Sequence, residues 1–187
     1  MFKVIDSYYT VPTPVADTGY YSCLNLCAQG YTNGKRVGSV IHCSLLELSI
    51  ICKQHMTPQS CMNGRVLTIL DTQSNGTIPT DATVFQTISG INTINSFINF
   101  NYIDRYRIID DWVVSFAADV GGSNIGFDRP RNRQVKIPLD IDCVYGTNTG
   151  TYTDILTNAI WTVCINDNAD TSYMRAVFNS RLWYKDK

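Results

Sequence analysis

The stretch Arg105-Tyr106-Arg107-Ile108-Ile109-Asp110-Asp111-Trp112-Val113-Val114-Ser115-Phe116-Ala117-Ala118 decides the fold class. Across Val113–Ala117 the apolar residues alternate, the period-2 pattern of a strand with one face buried. Asp110 and Asp111 are neighbours on that strand, so they point to opposite faces and do not form an acid pair on one side.

The same reading extends in both directions. Towards the N-terminus it predicts strands at Phe2–Tyr9, Tyr20–Ala28, Val37–Lys53 and Arg65–Asp71, the last closed by the turn Ser74-Asn75-Gly76. Towards the C-terminus it predicts Val135–Tyr145, Ala159–Asn166 and Tyr173–Tyr184. In the last strand Met174, Ala176 and Phe178 share one face, opposite Tyr173, Arg175 and Val177. Thr80-Asp81-Ala82-Thr83 caps a short helix over Val84–Ile88, followed by a long Asn-rich connection. About eight strands with no βα alternation predict an all-β fold: one antiparallel eight-stranded jelly-roll sandwich, with one short helix and long loops, over residues 1–187.

Composition agrees. Glu47 is the only glutamate among 16 acids, whereas β-branched and aromatic residues, which suit a pleated surface, are abundant. Apolar residues make up 44% of the chain, enough for a core, with no run long enough to span a membrane. Met1–Asp6 lacks the zones of a signal peptide. A net charge of −1 gives no overall polycation. The cysteines are seven and irregularly spaced, which argues for buried thiols in a reducing compartment rather than a disulfide framework.

Chemistry-bearing motifs are sparse, and no catalytic residue, metal site or cofactor is assigned. His42 lies within a predicted strand, and nothing marks Cys43 with His55 as an activated pair. Cys52, His55 and Cys61 supply three soft ligands where a structural zinc site needs four, and Cys23 with Cys27 lacks a second pair. Asp140 and Asp142 share a strand face, as half of an acid/base or calcium site or as a solvated face. Gly121–Gly126 lacks the lysine of a phosphate loop. The strongest basic cluster is Arg129, Arg131, Arg133 and Lys136, placed in a loop entering a strand; it suits phosphates, acidic neighbours or solvent alike. Lys35-Arg36 is a lesser version.

In order along the chain, Lys35-Arg36-Val37-Gly38-Ser39-Val40-Ile41, Arg65–Pro79, Asp81-Ala82-Thr83-Val84-Phe85, Asp104–Asp111 and Tyr173–Tyr184 resemble segments of the capsid proteins of small circular single-stranded DNA viruses, above all geminivirus-like coat proteins. The resemblance spans roughly residues 35 to 185 and rests on order and spacing. It implies a single jelly roll whose copies form a small icosahedral shell around a single-stranded genome, a virion component that assembles in the host nucleus or cytoplasm. The partners implied are the chain itself, single-stranded nucleic acid and a host surface receptor or vector, with no membrane insertion. Nucleic-acid contacts would fall on Lys3, Lys35, Arg36, Arg129, Arg131 and Arg133. Such proteins commonly begin with a basic arm; here Lys3 is the only cation before Lys35, which weakens the expected nucleic-acid binding. Aromatic anchors for assembly are expected at Trp112, Trp183 and Tyr184. The competing expectation is a jelly-roll carbohydrate- or receptor-binding module that stops at a small oligomer. An enzyme is the least favoured reading.

Overall fold

The computed structural model describes residues 1–11, 19–55, 62–86, 94–116, 130–166 and 173–187. Cys61, Gly121–Gly126, Arg129 and the His55 side chain lie outside the described residues, as do the last residues of the expected helix. The strands are β1 (Lys3–Thr10), β2 (Tyr20–Cys23), β3 (Val40–His55), β4 (Met62–Asp71), β5 (Tyr106–Phe116), β6 (Arg131–Tyr145), β7 (Ile155–Thr157), β8 (Ala159–Asn166) and β9 (Tyr173–Asp186). Between β4 and β5 lie one α-helical turn, α1 (Asp81–Val84), and a 3-10 turn at Phe100–Tyr102. The turn α1 occupies the residues expected as its cap and ends where the helix over Val84–Ile88 was expected to begin, because Phe85 is extended. Its entry is held by the Thr80 backbone N–H donating to Thr83 Oγ1 at 3.1 Å.

All pairings between strands are antiparallel. One sheet has the order β1-β9-β3-β6-β7 and the other β2-β8-β4-β5. Consecutive strands β1–β2, β3–β4, β5–β6 and β8–β9 therefore sit in opposite sheets. This is the jelly-roll strand order, with the three-residue β7 added where the sequence predicted eight strands. The buried apolar residues form one core cluster, including Ile41, Leu46, Ile50, Leu67, Phe116, Trp161, Phe178 and Tyr184.

Two boundaries moved for identifiable reasons. The expected strand at Tyr20–Ala28 stops at Cys23. The Asn25 side chain there takes over the ladder's role: its Oδ1 accepts from Ile160 N at 2.9 Å, and its Nδ2 donates to Asn158 O at 3.1 Å. In β6, pairing starts at Arg131, not Val135, because the 16-residue β3 offers partners as far as Cys52. Arg131 and Arg133 thus lie on a strand, not in the loop the sequence suggested. The Asn75-Gly76 turn forms as read, with φ of 46° and 69°. A Cβ on Gly76 would come within 2.7 Å of the Thr153 carbonyl oxygen, so this position requires glycine.

Burial differs between the sheets. Every residue of β8 is buried, whereas β6 alternates between exposed and half-buried as far as Asp140 and is buried only at Cys143 and Tyr145. The outward side of the four-stranded sheet is covered by the connection leading to β5. Arg65 pins that cover, donating to the Ile94 and Ser96 carbonyls at 3.0 and 2.7 Å and pairing with Asp111 at 2.9 and 2.7 Å. The start of β5 is fixed by Arg105, which donates to both oxygens of the fully buried Asp71 at 2.8 and 2.9 Å.

Candidate functional site

The structure separates the basic residues singled out in the sequence. Lys3 pairs with Tyr184 in β9, which in turn faces Cys43 of β3; Arg131 faces Cys52. The stretch of β3 from Cys43 to Cys52 spans about 30 Å, so the basic residues occupy two ends of the sheet. At the first end, Lys3 is engaged by Asp186 at 2.6 Å and by the Lys35 carbonyl at 2.9 Å. The Lys35 side chain is exposed.

Arg36 corrects the sequence expectation. It is 2% exposed. Its guanidinium donates to the Cys27, Gly38 and Thr147 carbonyls and lies 4.5 Å from the centre of the Tyr145 ring. With those donors engaged and no water access, it ties the loop before β3 to the turn after β6 and has no reach to a phosphate. A basic dipeptide in a turn looks identical in sequence whether it faces solvent or core.

At the other end, Arg133 points between the sheets, pairs with Asp110 of β5 and lies 5.9 Å from the centre of the Trp112 ring. The side chains of Asp110 and Arg133 therefore link the two sheets across their open side. Arg131 beside it is exposed. Asp110 faces inward while Asp111 faces Arg65 on the outer side, as the strand reading required.

The three aromatic anchors also part company. Tyr184 is fully buried, and its hydroxyl meets Cys27 Sγ at 3.7 Å, so it is a core residue rather than a surface anchor. Trp112 packs against the core beneath Arg133. Trp183 lies half-buried on the outer side of the five-stranded sheet, its indole N–H donating to Glu47 at 3.2 Å.

Surface apolar residues appear where the sequence analysis assigned none. Phe97, Phe100, Tyr102, Ile103, Ile108 and Val113 are all between 38% and 79% exposed. They fall on the connection before β5 and on β5 itself, an edge strand of the four-stranded sheet. The signal was present: Ile108 stands beside Ile109 and Val113 beside Val114, so β5 carries apolar residues on both faces.

The remaining titratable cluster is His42 with Asp140 and Asp142. His42 Nδ1 is 2.8 Å from Asp142 and Nε2 is 3.5 Å from Asp140. Hydrogen bonds from Lys187 and then His42 hold the Asp142 carboxyl below its ordinary value. The two carboxylates do share a face, and His42 and Lys187 fill it. The six described cysteines are free and buried. Burial pushes the Cys52 and Cys23 thiols up to about 12. The Cys43 thiol is held up by its contact with Cys143 Sγ at 3.5 Å and by burial, opposite to an activated nucleophile. Among the described residues no group of three or more His, Cys, Asp or Glu is arranged to hold a metal ion, and no helix is long and apolar enough to cross a membrane.

No protein-family model matches this chain, and no curated protein matches it. Among solved structures, the BFDV capsid protein, crystallised as a 60-mer, aligns over 98% of this chain and 90% of its own, with 10% identity and a TM-score of 0.28. A score that low carries no argument, and the jelly-roll assignment rests on the strand order above.

Proposed function

We propose that this chain is a capsid subunit whose copies assemble into a closed icosahedral shell around a single-stranded genome, making it a virion component. The observation that carries the reading is the group of six exposed large apolar residues between Phe97 and Val113 on one side of a jelly roll. An isolated domain rarely leaves so many large apolar side chains in water, and contact with a second copy would bury them. The segment order noted in the sequence adds to this. Nucleic acid would be met by the exposed Lys35 and Arg131, with Arg129; the buried Arg36 drops out of that set.

Light scattering coupled to size-exclusion chromatography, with negative-stain electron microscopy, tests the proposal. Round particles in the megadalton range are expected, and Phe97→Asp combined with Val113→Asp should reduce them to subunits that keep their β-sheet circular dichroism. A wild-type chain that stays a monomer or small oligomer across salt and calcium conditions would overturn the shell. Particles unaffected by the double substitution would overturn the role of this surface.

A further inference from the structure

The outward side of the five-stranded sheet holds a surface groove of about 740 Å³ that the assembly reading does not use. Two neighbouring cross-strand rows line it. In one row Asp6 faces Arg181, Arg181 faces Glu47, and Glu47 faces Lys136. That row is internally satisfied: Arg181 pairs with Asp6 at 2.7 Å, Lys136 with Glu47 at 2.7 Å, and the Trp183 indole closes on Glu47. In the next row Tyr8 faces Asn179, Asn179 faces Ser49, and Ser49 faces Gln134. Here, among the described residues, the amides of Asn179 and Gln134 and the hydroxyl of Ser49 have no hydrogen-bond partner, and Tyr8 is 66% exposed. Beyond this row lie the half-buried Val177 and Ile51, with Thr10 and Asn132 at the flanks.

We infer that this groove binds a neutral oligosaccharide. Uncharged amides and a hydroxyl are paired donors and acceptors, the complement of sugar hydroxyls. The exposed Tyr8 ring offers a stacking face for the C–H side of a sugar ring. Four strands cross the groove over about 14 Å, which suits a short oligosaccharide lying across them. The volume falls in the range of small-ligand sites.

The alternatives fit less well. A polyanion would meet Asp6 and Glu47 and cations already paired to them. An extended peptide would need a free strand edge, but β9 and β3 are paired on both sides. The inference does not rest on shell formation, since the groove lies on the sheet opposite the apolar surface.

Saturation-transfer NMR tests it, using the purified full chain with maltotetraose, tetra-N-acetylchitotetraose and N-acetyllactosamine as neutral probes and a heparin tetrasaccharide as the anionic arm. Transfer to ring protons of at least one neutral probe is expected. Tyr8→Ala with Asn179→Ala should weaken that binding at least tenfold, with unchanged circular dichroism and melting temperature. Absence of transfer to every neutral probe, a response to heparin alone, or binding unchanged in the double variant would overturn the inference. A change in particle mass on Tyr8→Ala with Asn179→Ala, together with no transfer to any neutral probe in the wild type, would assign the groove to a second copy and overturn it equally. Failure of shell formation shows in light scattering and leaves the sugar titration readable on its own.

Discussion

The two outward faces of the sandwich carry the same ion pair in different surroundings. On the four-stranded sheet Arg65 grips Asp111 through Nε and Nη2 at 2.9 and 2.7 Å. On the five-stranded sheet Arg181 grips Asp6 through the same atoms at 2.7 and 2.8 Å. The geometry is matched, but the Arg65 side chain is 10% exposed and the Arg181 side chain 48%. Arg65 also holds two carbonyls of the covering connection, while Arg181 holds none. An arginine–carboxylate pair is therefore structural on one face and surface decoration on the other, and what separates them is the cover.

If burial sets the worth of these arginines, the most buried should cost most even without a carboxylate. Arg36→Met should lower unfolding stability in urea by about 2–4 kcal/mol, since it orphans the buried Cys27 carbonyl and removes the guanidinium's links to the Gly38 and Thr147 carbonyls. A loss under 1 kcal/mol would break the comparison. Arg65→Ala comes next, at about 2–4 kcal/mol, because Asp111 can regain water once its partner is gone. It should also raise hydrogen exchange in the connection around Ile94 and Ser96.

A smaller effect follows from acid. Burial alone would raise the Asp154 carboxyl, but hydrogen bonds from Thr147, Thr149 and the Gly150 and Thr151 backbone outweigh it and leave it lowered. Asp6, Asp186 and Glu47 are lowered as well: Asp6 and Glu47 chiefly by hydrogen bonds from their cationic partners, Asp186 by Lys3 and the Val37 backbone against the opposing effect of burial. A carboxyl whose folded value lies below its unfolded one stabilises the fold above the unfolded value and loses that contribution as pH falls through the folded one. The urea midpoint should therefore hold steady from pH 7 to about pH 5 and decline below about pH 4. Asp154→Asn should flatten part of that decline. Least of all, Arg181→Ala should leave the melting temperature at its wild-type value; a clear drop would show that the open face is not the weak one.

Much of the fold was legible in local pattern. Ala159–Asn166 was found to the residue, and the faces of β9 fell where alternation put them. The site was less legible. A basic dipeptide and an aromatic near the C-terminus suggest surface contacts, yet Arg36 and Tyr184 are core, while Phe97, Ile108 and Val113 carry no motif and are exposed.

Period-2 patterning and turn chemistry act over a few residues, so they suffice to show that the chain is built of strands, roughly where they run and which residues of each share a face. Which face meets water is set by the packing of the whole chain. That depends on contacts between residues far apart in the chain, such as Arg65 with Ile94, Arg36 with Thr147 and Arg133 with Asp110, and no local pattern encodes them.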